Sequence, residues 1–268
     1  MIYYGLMHEL GPKSSKLKAE AIAPAPGLQN LIDHYIVLTG HLPIQSNDQW
    51  YLLPDNRAYF IFYLFDCKNT IVPKWSIVGP RSKHRIISRQ DRAFTFICSL
   101  KPGALNWLID VPVSELTDTS VDASYLLKAN SSDSFEKLTI NALKHDILSF
   151  VKDFESLIAS SLTTPSETNC VAQAFYQSCL NGNVVPLLTT VSKTIGYSDR
   201  QLRTIVRNYI GQSPKMVAQI ERFTKSLVLI KDGESWTNIA YSAGYYDQSH
   251  MISDYTKFLG STPNKLFS

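Results

Sequence analysis

One stretch of the chain occurs twice. The run Ile195-Gly196-Tyr197-Ser198-Asp199 through Gly211-Gln212-Ser213-Pro214 is matched by Ala243-Gly244-Tyr245-Tyr246-Asp247 through Gly260-Ser261-Thr262-Pro263, the leading glycines 48 residues apart and the trailing prolines 49. A repeat of this period is one supersecondary unit built twice. Each copy reads as an apolar helix, a Gly-aromatic corner, a further helix, then Gly-x-x-Pro opening the next.

A helix-turn-helix needs these residue types at this spacing. The chain must leave the first helix at positive φ, which glycine does without steric cost. The aromatic that follows plugs the angle between the helices. Ser198 or Asp199 in one copy and Asp247 in the other can cap the second helix. That helix must then show a buried stripe to its own domain and a polar stripe to a major groove. In the first copy Leu202, Ile205, Val206 and Tyr209 supply the apolar stripe, leaving Arg200, Gln201, Arg203, Thr204 and Arg207, with Asn208, on the other face. Arginines and amides on one face suit phosphate and base-edge contacts. In the second copy Met251, Tyr255 and Phe258 face inward, and Gln248, Ser249, Ile252, Ser253 and Lys257 remain for DNA. A long helix over Lys215 to Lys231 can hold the units at a fixed distance. Two reading helices, about 199–209 and 247–258, spaced by roughly one DNA turn of about 34 Å, would enter successive major grooves of one duplex.

The pattern Gly196-Tyr197-Ser198-Asp199-Arg200-Gln201-Leu202-Arg203, then Gly211-Gln212-Ser213-Pro214, then Ile239-Ala240, Gly244-Tyr245, Asp247-Gln248-Ser249-His250 and Phe258-Leu259-Gly260-Ser261-Thr262-Pro263 resembles the AraC/XylS family of bacterial transcription regulators. The resemblance covers about residues 168 to 268. It implies both units in one all-helical domain, with Arg200, Arg203 and Thr204 reaching bases in the first groove. Gln248, Ser249, Ile252 and Ser253 would face the second. Family members frequently carry arginine where this chain has Ser253, which implies less direct readout by the second helix. Double-stranded operator DNA is the implied partner. RNA polymerase, a small-molecule effector and a second copy of the chain stay open as further partners.

Upstream, residues 51–53, 58–65, 70–78, 84–88 and 93–100 are rich in aromatic and β-branched residues and are separated by turn-forming runs, which predicts the short strands of a sandwich or barrel. Ala104 to Ile109 reads as a short helix, and from Ser134 onward apolar residues recur at helical steps, with a break near His145. The polar, proline-containing run Ser160 to Glu167 is the hinge. The expected fold is therefore α+β: a β-rich sensing or dimerisation domain over 1–160 ending in a helical linker, then an all-α domain over 166–268 of about seven helices with two helix-turn-helix units. Leu53-Pro54-Asp55, Val78-Gly79-Pro80 and Lys101-Pro102-Gly103 also resemble, more weakly, the sensing domains of one branch of the family. Trp50, Tyr59, Phe62 and Trp75 are candidates to line a ligand pocket there, against the alternative that they are core.

Composition narrows the function. At 268 residues, 44% hydrophobic and 18% charged, the chain has material for one or two proper cores. Its excess of three positive charges lies wholly in residues 166–268, with 10 Lys+Arg against 7 Asp+Glu. Cys67, Cys98, Cys170 and Cys179 form no C-x-x-C pair, and His8, His34, His41, His84 and His145 form no H-x-H, so no metal site is expected. No Walker loop, H-E-x-x-H, G-x-S-x-G or G-x-G-x-x-G occurs, so neither catalysis nor a cofactor is expected. The start of the chain lacks a signal-peptide pattern, and the densest apolar run, Tyr59 to Phe65, falls far short of the roughly 20 residues that cross a bilayer. A cytoplasmic location, away from membranes, follows as an expectation.

Overall fold

Alternation along the strands decides how this molecule is layered. The computed structural model describes residues 18–39, 49–67, 70–88, 92–125, 132–181, 196–230 and 234–267. In it β1 (Lys18–Ile22), β2 (Ile32–Thr39), β7 (Arg92–Leu100), β4 (Tyr59–Cys67), β5 (Thr70–Val78) and β8 (Ser120–Asp122) form one sheet in the order β1-β2-β7-β4-β5-β8. All neighbours in it run antiparallel. A second sheet pairs β3 (Gln49–Leu52) with β6 (Arg85–Ser88).

Successive side chains of a strand point to opposite faces. Tyr35 and Val37 of β2, Phe60, Phe62 and Leu64 of β4, Trp75 and Ile77 of β5, and Phe94, Phe96 and Cys98 of β7 share one buried face. Register places Phe62 opposite both Trp75 and Phe96. Two helices, α1 (Ser132–Leu143) and α2 (Ile147–Ser161), cover that face. Phe150 and Phe154 of α2 meet Phe96 at ring separations of 4.8 and 4.9 Å. Such aromatic pairs contribute about 0.5–1.5 kcal/mol each beyond their buried area. The expected break near His145 is present: this residue takes φ 54°, and Asp146 then caps α2 by accepting from the Ser149 N–H at 3.1 Å.

Residues 162–166 lie outside any helix, after which six helices follow among the described residues: α3 (Glu167–Asn181), α4 (Asp199–Ile210), α5 (Pro214–Leu229), α6 (Trp236–Ala243), α7 (Gln248–Leu259) and α8 (Pro263–Phe267). They build two cores. Val171, Ala172, Phe175 and Tyr176 of α3 pack on Leu202, Ile205, Val206 and Ile210 of α4 and Val217 of α5. Ile220, Phe223 and Leu227 of α5 pack on Ile239, Ala240 and Ala243 of α6 and on Met251, Tyr255, Phe258 and Leu259 of α7. α5 thus contributes to both, with Val217 in one core and Ile220 onward in the other, and it joins the units. No helix among the described residues is long and apolar enough to cross a membrane.

Candidate nucleic-acid interface

The two corners are built from the same local chemistry, with one displacement. Gly196 and Gly244 both adopt the left-handed conformation, at φ 82° and 88°. Behind Gly196, Ser198 caps α4 in a full capping box: its side chain accepts from the Gln201 N–H, and the Gln201 amide oxygen accepts from the Ser198 N–H at 3.0 Å. Behind Gly244 the cap falls one position later, on Asp247, whose carboxylate accepts from the His250 N–H at 2.7 Å. Tyr245 fills the second corner, buried, with its ring under the Arg222 guanidinium at 5.3 Å and edge-on to His250. The helix that the sequence predicts before Gly196 falls outside the described residues. For the second unit both helices, α6 and α7, are described.

Arg200, Gln201, Arg203, Thr204 and Arg207 lie together on the exposed face of α4, opposite buried Leu202, Ile205, Val206 and Ile210. Tyr209, read as part of the apolar stripe, is only partly buried, and its hydroxyl accepts from Thr168 at the start of α3. Gln201 keeps only its amide nitrogen for a further partner, because its oxygen closes the capping box. On α7, Ser249, Ser253 and Lys257 are exposed, and Gln248 and Ile252 are partly so. Gln248 accepts from Thr237, and the Lys257 ammonium donates to Gln219 Oε1 at 2.9 Å, which ties it back to α5. Asp254, unremarked in the sequence, is buried beneath this face. It accepts from Gln219 Nε2 at 3.1 Å, and burial pushes its carboxyl above the ordinary range despite nearby Arg222.

The ends of α4 and α7 are held by the β-rich domain. Asn106 Nδ2 donates to the Tyr209 carbonyl at 2.7 Å, and Thr117 Oγ1 to the Gly211 carbonyl at 2.6 Å. Buried Gln212 donates to the Arg81 carbonyl at 3.0 Å. At the far end of α7, the His84 backbone N–H and Nδ1 both approach the Phe258 carbonyl, at 3.2 and 2.8 Å. Asn56 reaches α5, donating to the Val217 carbonyl at 3.0 Å and to Glu221 at 2.8 Å. These contacts were invisible in the sequence because each joins residues at least 94 positions apart.

Between the domains lies a cavity of about 810 Å³. Its sheet wall is the face opposite the aromatic core: His34, Ile36 and Leu38 of β2, Tyr59 and Ile61 of β4, Ile97 and Ser99 of β7. Its helical wall comes from α3 and α5, through Gln173, Tyr176, Leu180, Glu221 and Val228 among others. Of the pocket candidates, Tyr59 lines this cavity and bonds Asp55. Phe62 and Trp75 do not line it. Alternation puts them on the other face, 0% and 7% exposed, so their place is the core and not a ligand wall. The side chain of Trp50 lies outside the described residues.

Residues 191–268 match the family model of a helix-turn-helix domain, and residues 20–122 match a domain of unknown function (DUF6597). A search of curated protein sequences returned no match. Among solved structures, an apo variant of ToxT from Vibrio cholerae is 15% identical, covering 87% of this chain and 97% of that one at a TM-score of 0.43. ToxT from strain O395 is 12% identical over 96% and 98%, at 0.41. ToxT bound to an unsaturated fatty acid is 11% identical over 94% of each chain, at 0.41. By the family match, residues 191–268 form an AraC-type helix-turn-helix domain.

Proposed function

We propose that the chain regulates transcription by placing α4 and α7 in successive major grooves of one duplex, with α4 making most of the base contacts. The observation that carries this reading is the pair of glycine corners, each followed by a capped helix whose outward face is polar, with α5 linking the two units. Phosphate contacts would set affinity and position, and a few α4 side chains would set sequence. The test is selection of bound sequences from a random duplex pool by the full-length protein. Two recurring blocks, their centres about 10–10.5 base pairs apart, are expected. A single block, or no enrichment, would reject the reading.

A second reading concerns control, and the interdomain cavity favours it. Ile36, Leu38, Ile61 and Ile97 give it one apolar wall, while Arg57, Arg81 and Lys101 outnumber Asp33 and Glu221 among its charged lining. That chemistry suits an effector with an apolar body and one negative charge. A panel of such compounds in thermal unfolding tests it, since a ligand at 100 times its Kd adds about 2.7 kcal/mol of stability. The competing reading is a regulator that responds to no ligand, its N-terminal domain serving dimerisation or protein contacts alone. A panel without any shift, with a dimer in sedimentation, would select that alternative.

A further inference from the structure

The second unit is poorly equipped to hold a polyanion by charge. Residues 196–215 around α4 carry four Lys+Arg and one acid, whereas residues 234–267 carry two lysines and three acids. Of those two lysines, Lys257 is bound to Gln219 and lies over the Phe258 ring at 5.0 Å. Yet this unit exposes two tyrosines almost completely: Tyr246 is 94% exposed and Tyr241 84%. Neither hydroxyl has a hydrogen-bond partner among the described residues.

The one-residue displacement between the corners accounts for Tyr246. In the first copy the second residue after the glycine is Ser198, which is consumed as the cap of α4. In the second copy capping passes to Asp247, so the corner holds a surplus residue that is neither plug nor cap. That residue is a large aromatic, held in water beside the first turn of α7. Tyr241 stands on α6, the helix that in a helix-turn-helix crosses the sugar-phosphate backbone. Its neighbours Ile239, Ala240 and Ala243 are buried, which leaves Tyr241 on the outward side. A phenolic O–H is a neutral donor, and phosphate oxygens accept readily from tyrosine.

We infer that Tyr246 and Tyr241 clamp the phosphate backbone beside the second major groove, so that the second unit is held by neutral hydrogen bonds where the first is held by charge. This rests on the two-groove reading above. Each cationic contact releases condensed counterions and adds about 0.9 to the slope of log affinity against log salt, whereas a neutral hydroxyl adds none. The two units therefore leave different marks on one titration.

The experiment measures the Kd of full-length protein on its selected site at several salt concentrations, for wild type, Tyr246→Phe, Tyr241→Phe, the double variant and Arg207→Ala. Phenylalanine keeps the exposed ring and removes only the hydroxyl, so thermal unfolding should be unchanged. Each tyrosine variant is expected to bind about threefold to tenfold more weakly at every salt concentration, with the slope unaltered. The loss should be the same on random duplex, since backbone contacts carry no sequence information. Arg207→Ala should instead lower the slope. Unchanged affinity in the double variant, or a loss confined to the selected site, would overturn the assignment. Failure of the wild type itself to bind duplex would reject the regulator reading and not merely this clamp.

Discussion

Alanine at Gly196 and at Gly211 brings the same backbone strain, at φ 82° and 88°, into different surroundings. No described atom lies within 4 Å of a Cβ built on Gly196, so among the described residues the cost there is the left-handed conformation alone, about 1–2 kcal/mol. On Gly211 the added atom would meet Thr117 Oγ1 at 2.8 Å and Pro80 and Val113 at 3.1 Å, prising apart the hydrogen bond that Thr117 gives to Gly211. Gly211→Ala should therefore lower the urea midpoint clearly more than Gly196→Ala, and equal shifts would deny the interdomain contact. Arg203, exposed mid-way along α4, should act on recognition and not on folding. Arg203→Ala is expected to cost about 1–3 kcal/mol on the selected site and to relax preference at one base pair, where an equal loss on random duplex would remove its base-reading role. At this scale residue type and periodicity made much of α4 legible, since Leu202 and Arg203 differ in chemistry as they differ in burial. Gln201 was less legible, because the reciprocal bond with Ser198 is a matter of local geometry.

Elements with a strong period were readable, and the others show why some are not. β5 and β7 alternate or run apolar between clear turns, and their bounds match the sequence reading within one residue. β1 escaped notice: Lys-Ala-Glu-Ala-Ile has low strand propensity, and it is a strand only because β2 pairs with it along its length. β2 carries Asp33 and His34 directly after its first residue, and these line the cavity and interrupt its apolar run. Phe62 and Trp75 illustrate the remaining ambiguity, because an aromatic in a strand does not declare which face of the sheet will be covered. The cap of α7, in contrast, follows directly from sequence, whereas that of α4 stayed open between Ser198 and Asp199 until the geometry chose Ser198. Asp247 is the first hydrogen-bond acceptor of α7, so Asp247→Ala should destabilise the full chain by about 1 kcal/mol. Asp247→Asn should recover most of that loss, and an alanine variant as stable as wild type would contradict the cap.

At the scale of the whole molecule, the domains meet across charge. Glu221 accepts from Asn56 of the β-rich domain and from Tyr176 of α3, and loss of solvation raises its carboxyl above the ordinary range. A carboxyl raised on folding binds its proton more tightly in the native state, so its charged form opposes folding and stability falls as pH rises through the folded value. Glu221→Gln keeps an acceptor for both donors and removes the charge. It should raise the urea midpoint at pH 7, with the gain vanishing below about pH 4 where the carboxyl is neutral in both states. A variant less stable than wild type at pH 7 would show that the charge is needed by Arg57.

In the proposed function the same interdomain contacts, together with α5, fix the separation at which α4 and α7 meet the duplex. That separation is tested most directly by the Kd of the full-length protein on its selected site with five base pairs inserted between the two blocks. Half a helical turn carries the second groove to the opposite side of the duplex. Affinity should then fall to that of a site retaining only the first block. Undiminished binding to the interrupted site would contradict the account, since it would mean that the two helices do not engage one duplex at a fixed distance.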